Sequence, residues 1–315
     1  MLKYFFQLLK FRLSITVVFS AMIGYLLGFD DFIWRDFIYL TIGGFLVTGS
    51  ANAFNQILEK DKDKLMKRTS IRPLPQNKLS VFQASVFATL IGCIGLFLLN
   101  QINPEGTFYG IMSKSSFFGL ISILLYVLSY TPLKRVSTIS IFVGAIPGAI
   151  PFLLGYVAAT DDFGIAAGPL FAIQFFWQFP HFIAIAWVQH EDYKKAGFKM
   201  LFGGKTNKYP PLISIVTSIF MVSISVIPFF CQTSQLTLSI YSFILILLLG
   251  IWFTYKSILL YQNTDDLSAR KLMISSFLYL PVMQIIYVID RFIFKDLEKV
   301  NKEKTTDISN KKAPS

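Results

Sequence analysis

Apolar residues along the chain fall into nine runs that are separated by polar segments. A helix needs about 20 apolar residues to cross the hydrocarbon layer of a membrane. The runs lack the alternation of apolar and polar residues that marks the strands of a membrane barrel. Helices are the other structure that can cross a membrane, because they satisfy their own backbone hydrogen bonds in lipid. The predicted spans are Leu13–Phe29, Phe37–Phe54, Val81–Leu99, Ser115–Tyr130, Ile139–Ala158, Phe163–Val188, Pro211–Cys231, Leu236–Leu260 and Leu272–Ile289.

Composition supports a membrane protein. Hydrophobic residues make up 54% of the 315 residues, above the roughly 45–50% of an average soluble domain. We therefore predict an all-α fold, a polytopic membrane bundle of about nine transmembrane helices, as one domain over residues 1–295. Residues 296–315 are rich in Lys, Asp, Glu, Asn and Ser, and such a composition predicts a disordered C-terminal tail.

The net charge of +11 fits an orientation signal better than a nucleic-acid surface. If the N-terminus lies inside, the inner segments hold twenty basic residues and the outer loops hold two, Arg35 and Lys114. Inner loops carry such an excess in membrane proteins. We expect a multi-pass protein of the bacterial cytoplasmic (inner) membrane, with its polar side facing the cytoplasm and no nucleic-acid partner. The seven basic residues after the last predicted span, from Arg291 to Lys312, would then lie outside, against the same rule.

Three oxygen-bearing side chains follow the second span at intervals of four residues: Asn55, Glu59 and Asp63. On a helix they drift by only about 40° per step, so they share one face. Such a face can hold Mg²⁺, a hard cation that is usually shared between one or two carboxylates and the phosphates of a substrate.

Two arginines, Arg68 and Arg72, come shortly after this face. The guanidinium group is suited to bidentate recognition of phosphate. Together with the carboxylates, the arginines predict a site for a metal diphosphate. The alternative is a charged helix at the membrane surface that is stabilised by ion pairs between neighbouring turns.

The motif resembles the first acidic motif of the intramembrane aromatic prenyltransferase (UbiA) superfamily, and its continuation is similar to the heme O synthases, a branch of that superfamily. Glu59 stands where Asp is usual, with the same charge and one more methylene group. The resemblance extends from about Lys10 to Asp290. It rests on Asn55-x3-Glu59-x3-Asp63 and on Asp63-x2-Met66-x-Arg68-Thr69-x2-Arg72-Pro73-Leu74.

Basic residues elsewhere on the inner side have two interpretations. Lys134 and Arg135 end the fourth run and precede a fifth run that is rich in Gly and Pro. They belong either to a simple connection or, as the resemblance implies, to the diphosphate site. Arg12 stands in a Lys-Phe-Arg segment where the family commonly has Lys-Pro-Arg. It either extends to the lipid headgroups or reaches the diphosphate.

The sixth run contributes His181, which lies within a span where an unsatisfied polar group is costly. The Pro-His-Phe segment around it and the later Asp192-Tyr193-x2-Ala196-Gly197 segment are similar to those of heme O synthases. The resemblance implies that His181 binds the heme substrate, as an axial ligand or by positioning it. Asp192 then begins the second acidic motif, whose second Asp is replaced by Ala196.

The resemblance implies transfer of a farnesyl group from farnesyl diphosphate to protoheme IX, with Mg²⁺ as cofactor. Membrane lipid surrounds such an enzyme, and heme A synthase or oxidase assembly factors are candidate protein partners. The implied metal and catalytic residues are Asn55, Glu59, Asp63 and Asp192, the implied diphosphate ligands are Arg12, Arg68, Arg72, Lys134 and Arg135, and His181 is the implied heme ligand.

Three alternatives remain open from the sequence. Another enzyme of the superfamily could prenylate a quinone precursor, which a product of different mass would reveal. A membrane transporter could also have nine spans, but transporters place their charged residues near the membrane midplane. A heme-delivery protein without catalysis is the third alternative.

Overall fold

The computed structural model describes residues 1–108, 110–231 and 236–310, with side chains described in these ranges except at 108 and 294–310. The first half consists of helices joined by turns, a longer loop over residues 64–80 and one hairpin. Its elements are α1 (Leu2–Leu8), α2 (Phe11–Gly28), α3 (Trp34–Leu58), α4 (Lys60–Asp63), α5 (Val81–Asn100), β1 (Thr107–Phe108), β2 (Met112–Ser113), α6 (Lys114–Leu124), a π-helical turn (Leu125–Tyr130) and α7 (Thr131–Leu133).

In the second half, the regular elements that the structure describes are all helical. Its elements are α8 (Ile139–Thr160), α9 (Ala167–Val188), α10 (His190–Ala196), a 3₁₀ turn (Phe202–Gly204), α11 (Tyr209–Ser225), α12 (Ile227–Phe230), α13 (Ile240–Asn263) and α14 (Asp266–Asn310). The two strands pair antiparallel, with Thr107 opposite Ser113.

The prediction of nine spans is confirmed: among the described residues, nine helical segments are long and apolar enough to cross a membrane. The fourth joins α6, the π-helical turn and α7 into one segment, and the seventh joins α11 and α12. Some ends differ from the predicted runs. The helix α3 continues to Leu58, four residues beyond the predicted Phe54, and α9 begins at Ala167 rather than Phe163.

The helix α8 lies at the centre of the bundle and α5 at its edge. In the apolar windows of these two helices, 72% and 28% of the residues are buried, respectively. The backbone of α8 approaches α2 closely, because a Cβ atom on Gly155 would lie 1.8 Å from the carbonyl oxygen of Ala21. Small residues permit this kind of helix contact within membranes. On its other side α8 packs against α9, which also contacts α11 and α14.

Four helix ends meet at one end of the bundle, as alternating spans require. They are the start of α2 after Lys10, the end of α3, the end of the fourth span and the end of α9. Lys10 has a left-handed backbone (φ 46°) that separates α1 from α2. At the chain terminus, the predicted boundary between residues 295 and 296 falls within α14. The side chains of the predicted disordered tail lie outside the described residues, so its disorder stays a prediction.

Candidate active site

One face of a nearly continuous helical segment carries Asn55, Glu59 and Asp63. The helix α3 ends at Leu58, yet the amide of Glu59 still donates to the Asn55 carbonyl (3.0 Å), and the amide of Asp63 donates to the Glu59 carbonyl (2.8 Å). All three residues are buried, with exposed fractions of 2%, 4% and 0%. The spacing that indicated a shared face in the sequence therefore brings three oxygen-bearing side chains together.

Asp63 is held by the loop that follows it. Arg72 donates from Nη1 to Asp63 Oδ2 over 2.7 Å, and Thr69 Oγ1 donates to the Asp63 carbonyl over 2.9 Å. The other carboxylate oxygen, Oδ1, is buried and has no hydrogen-bond partner among the described residues. Burial raises the pKa of Asp63 above its ordinary value, and the Arg72 guanidinium acts in the opposite direction.

Lys134 brings a second cation to the cluster from the end of the fourth span. Its Nζ forms an ion pair with Glu59 Oε1. The same Nζ lies 4.8 Å from the centre of the Tyr130 ring and 5.3 Å from that of Phe198. The Lys134 carbonyl accepts a hydrogen bond from the amide of Lys199 over 2.7 Å. Lys134 is thus fixed both at its backbone and at its charged group.

Lys10 is a member of the cluster that the sequence analysis missed. Its Nζ donates to Asn55 Oδ1 over 3.1 Å, while Asn55 Nδ2 donates to Thr131 Oγ1 over 3.2 Å. Burial, and next the Arg72 guanidinium, lowers the pKa of Lys10 to about 7. One feature of the sequence could have indicated Lys10: it is a basic residue at the start of a span, on the same membrane side as the acidic motif.

The donor set at this site suits a hard cation. Asn55, Glu59 and Asp63 supply only oxygen atoms, and Mg²⁺ prefers oxygen ligands. The unpartnered Asp63 Oδ1 is the clearest open coordination position, because a buried carboxylate oxygen normally has a partner. Within the described ranges, no three His, Cys, Asp or Glu side chains come close enough to hold a metal ion by themselves. Glu59, Asp63 and Asp192 therefore do not form such a group by themselves.

The remaining predicted phosphate ligands lie on the surface. Arg12 and Arg68 are exposed, and neither guanidinium group makes a hydrogen bond or ion pair with another described residue. Arg135 is also exposed, and it donates to the carbonyl of Leu58 at the end of α3 over 2.6 Å. Asp192 is half-buried on α10. Of the five predicted diphosphate ligands, the structure places Arg72 and Lys134 directly beside the carboxylates.

His181 faces α14 rather than the carboxylate cluster. Its Nδ1 lies 2.8 Å from Ser276 Oγ. The imidazole stacks on Trp177 with the ring centres 4.6 Å apart, and it meets the edge of Phe277 at 5.1 Å. The indole of Trp177 donates to the Ser276 carbonyl over 3.0 Å. These contacts connect α9 to α14 and fix the orientation of the imidazole.

A membrane bundle with buried carboxylates and cations gathered at one end is an arrangement suited to enzymes that act on phosphorylated substrates at the membrane. The chain belongs to the UbiA prenyltransferase family, whose model matches residues 17–280. The protoheme IX farnesyltransferase of Flavobacterium psychrophilum is 47% identical over 292 residues, covering 92% of this chain and 94% of that protein. The predicted family and the predicted enzyme class, a prenyltransferase, are confirmed.

Two solved structures share the fold. One comes from work on the biosynthesis of digeranylgeranylglyceryl phosphate synthase in membranes, with a TM-score of 0.74, 21% identity, and coverage of 92% of this chain and 98% of that one. The other is a UbiA homologue from Archaeoglobus fulgidus bound to GPP and Mg²⁺, with a TM-score of 0.66, 16% identity, and coverage of 90% and 99%. At these identities the likeness extends to the fold alone.

Proposed function

We propose that this chain transfers the farnesyl group of farnesyl diphosphate to a vinyl group of protoheme IX, which makes heme O for terminal oxidases. The observation that carries the proposal is the buried Asp63, which has one carboxylate oxygen on Arg72 and the other without a partner among the described residues. That oxygen suits a metal diphosphate. The heme substrate is supported by the relative from Flavobacterium psychrophilum, which is named a protoheme IX farnesyltransferase.

The diphosphate would bind between the carboxylates and the cations of the cluster. Asn55, Glu59 and Asp63, with Asp192 as a further ligand, would hold Mg²⁺, which supplies positive charge to the diphosphate oxygens. Arg72 and Lys134 lie next to these carboxylates and bind the same oxygens from the side of the protein. Arg12 and Arg68 are exposed, so they have room to approach the diphosphate once it is bound. Arg135 donates to the Leu58 carbonyl and contributes less to the site.

The reaction begins when the allylic carbon–oxygen bond breaks and its electron pair leaves with the diphosphate. Arg72 and Lys134 stabilise the charge that develops on this leaving group. The vinyl group of the heme then attacks the farnesyl cation, and water adds to the new cation on the heme side chain and releases a proton. The product carries a hydroxyethylfarnesyl group.

Aromatic side chains beside Lys134 protect the farnesyl cation from water. The rings of Tyr126 and Tyr130 lie 5.1 Å apart, and Tyr130 stacks with Phe182 at 6.5 Å. Aromatic faces attract cations, and rings packed against one another leave little space for water. This aromatic group therefore suits an allylic cation that must react with the heme before it reacts with water.

We place the site on the cytoplasmic side of the bacterial inner membrane. The support is the excess of basic residues in the segments on the side of the carboxylate cluster, which orients spans toward the cytoplasm. His181 is proposed as the heme-binding residue within the span. Heme A synthase or oxidase assembly factors remain predicted partners that would receive the product.

The test is incubation of membranes containing the protein with protoheme IX, Mg²⁺ and farnesyl diphosphate, followed by mass measurement of the extracted heme. The expected product is heavier than protoheme by one farnesyl group and one hydroxyl group. An unchanged heme mass would overturn the proposal. Prenylation of an added quinone precursor in the same assay would indicate a different acceptor.

A further inference from the structure

A cavity of about 440 Å³ opens next to the carboxylate cluster, between the segment after α7 and the segment after α10. Its apolar wall includes Ala186, Phe198 and Met200. Its polar wall includes Ser137, Thr138 and the three residues His190, Lys194 and Lys199. The cavity is thus amphipathic, with apolar and polar walls in one space.

The charge of this cavity has one sign. Lys194 and Lys199 bring two basic side chains, His190 adds an imidazole, and no Asp or Glu is among the described residues that line the space. The hydroxyl groups of Ser137 and Thr138 add hydrogen-bond donors. Anionic groups such as carboxylates therefore match the polar wall better than neutral or cationic groups do.

Phe198 joins the cavity to the carboxylate cluster. Its ring lines the cavity and also lies 5.3 Å from Lys134 Nζ, which forms an ion pair with Glu59. The neighbouring amide of Lys199 is bonded to the Lys134 carbonyl. A ligand in this space would therefore lie one aromatic ring away from the cation that we assign to the diphosphate.

We infer that this cavity binds the carboxylate-bearing edge of protoheme IX, an inference that rests on the proposed function. Protoheme IX is a flat apolar macrocycle with two propionate groups on one edge and its vinyl groups away from that edge. Lys194 and Lys199 bind the propionates, while Ala186, Phe198 and Met200 contact the macrocycle. This arrangement holds the charged edge at the membrane surface and directs the vinyl groups toward the bundle, where the farnesyl cation forms.

The test measures the Kd of protoheme IX by quenching of tryptophan fluorescence, with the full chain in nanodiscs of zwitterionic lipid. The double variant Lys194→Gln/Lys199→Gln is compared with Lys195→Gln/Lys205→Gln. The control loses the same charge from two exposed lysines that do not line the cavity. We expect the first variant to raise the Kd about tenfold, because both lysines are exposed and solvent screens each of their ion pairs. The control should change the Kd less than about twofold.

A second ligand separates recognition of the propionates from a general loss of structure. The dimethyl ester of protoheme IX lacks the carboxylates, so wild type and the Lys194→Gln/Lys199→Gln variant should bind it equally. An equal loss for the acid and the ester would overturn the inference. It would also be overturned if the two lysines altered only the response to added anionic lipid, because the cavity would then bind lipid headgroups.

Product formation distinguishes this inference from the proposed function. If wild type makes the farnesylated heme but its heme Kd does not depend on Lys194 and Lys199, the cavity assignment alone is wrong. If no product forms while heme binding still depends on these lysines, the proposed reaction is wrong and the cavity assignment stands. The KM for farnesyl diphosphate should be the same in both double variants.

Discussion

Arg72 Nη1 lies 2.7 Å from Asp63 Oδ2, while Asp63 Oδ1 is buried without a hydrogen-bond partner among the described residues. A single guanidinium thus fixes the carboxylate and leaves one of its oxygens available. Fixing a ligand through a neighbouring group is a common way to orient it toward a metal. Asp63 is the residue on which the proposed site depends most.

Asp63→Asn should reduce turnover by at least about a hundredfold, because the amide cannot supply the negative charge that a metal ligand needs. The midpoint of the Mg²⁺ dependence should move to higher concentration. The matched control is Asp61→Asn. The Asp61 side chain is 90% exposed and pairs only loosely with Lys64, at 3.6 Å. Similar losses in both variants would contradict the assignment of Asp63.

Lys134→Met should raise the KM for farnesyl diphosphate roughly tenfold, since a cation that lies beside Glu59 is lost. Arg135→Gln removes the neighbouring positive charge, yet Arg135 is exposed and bonds to a backbone carbonyl. The KM of the Arg135→Gln variant for farnesyl diphosphate should remain within about threefold of the wild-type value. Steady-state kinetics with saturating heme would check both values. A larger effect at Arg135 would reverse the assigned roles.

His181→Ala should weaken heme binding and lower the melting temperature, because the imidazole joins α9 to Ser276 of α14. His181→Asn separates these two effects. The amide can replace Nδ1 in the contact with Ser276 but offers no second ring nitrogen to heme. We expect His181→Asn to restore the melting temperature and not the heme affinity. Recovery of both would mean that His181 only connects the helices.

Gly155→Ala should destabilise the bundle by roughly 1–3 kcal/mol, the usual effect of overpacking. The added methyl group would lie 1.8 Å from the Ala21 carbonyl oxygen, so α2 and α8 would have to separate. Gly168→Ala is the control, because a Cβ there has no neighbouring atom within 4 Å. Thermal unfolding in detergent would compare them. Equal stability of the two variants would exclude a tight contact between α2 and α8.

The sequence was sufficient to predict features that depend on local periodicity. The nine spans follow from the length of the apolar runs, and the shared face of Asn55, Glu59 and Asp63 follows from the helical repeat. Both features depend only on residues close together in the chain. The ends of the spans were less accurate, because helices such as α3 continue through polar residues that find partners in the folded bundle.

Contacts between distant segments could not be predicted in this way. The resemblance implied Asp192 as a partner of Glu59 and Asp63, and this role stays a prediction. The short helix α10 that carries Asp192 ends at Ala196, and the following Gly197 has a left-handed backbone (φ 71°). The amide of Phe198 then bonds back to the Tyr193 carbonyl over 2.8 Å. This reversal brings the ring of Phe198 to Lys134, a contact that residue spacing alone does not reveal. Lys10 was missed for a similar reason, since its contact with Asn55 crosses between α2 and α3.

The π-helical turn at Leu125–Tyr130 determines where the fourth span presents its last residues. A π turn contains one residue more than an α-helical turn, and such turns are frequent at functional sites. Shortening this turn by one residue would leave a hydrophobic segment of nearly unchanged length. It would also rotate everything after it by about 100°. The pairing of Lys134 with Glu59 is therefore a matter of helical phase, which a count of apolar residues cannot detect.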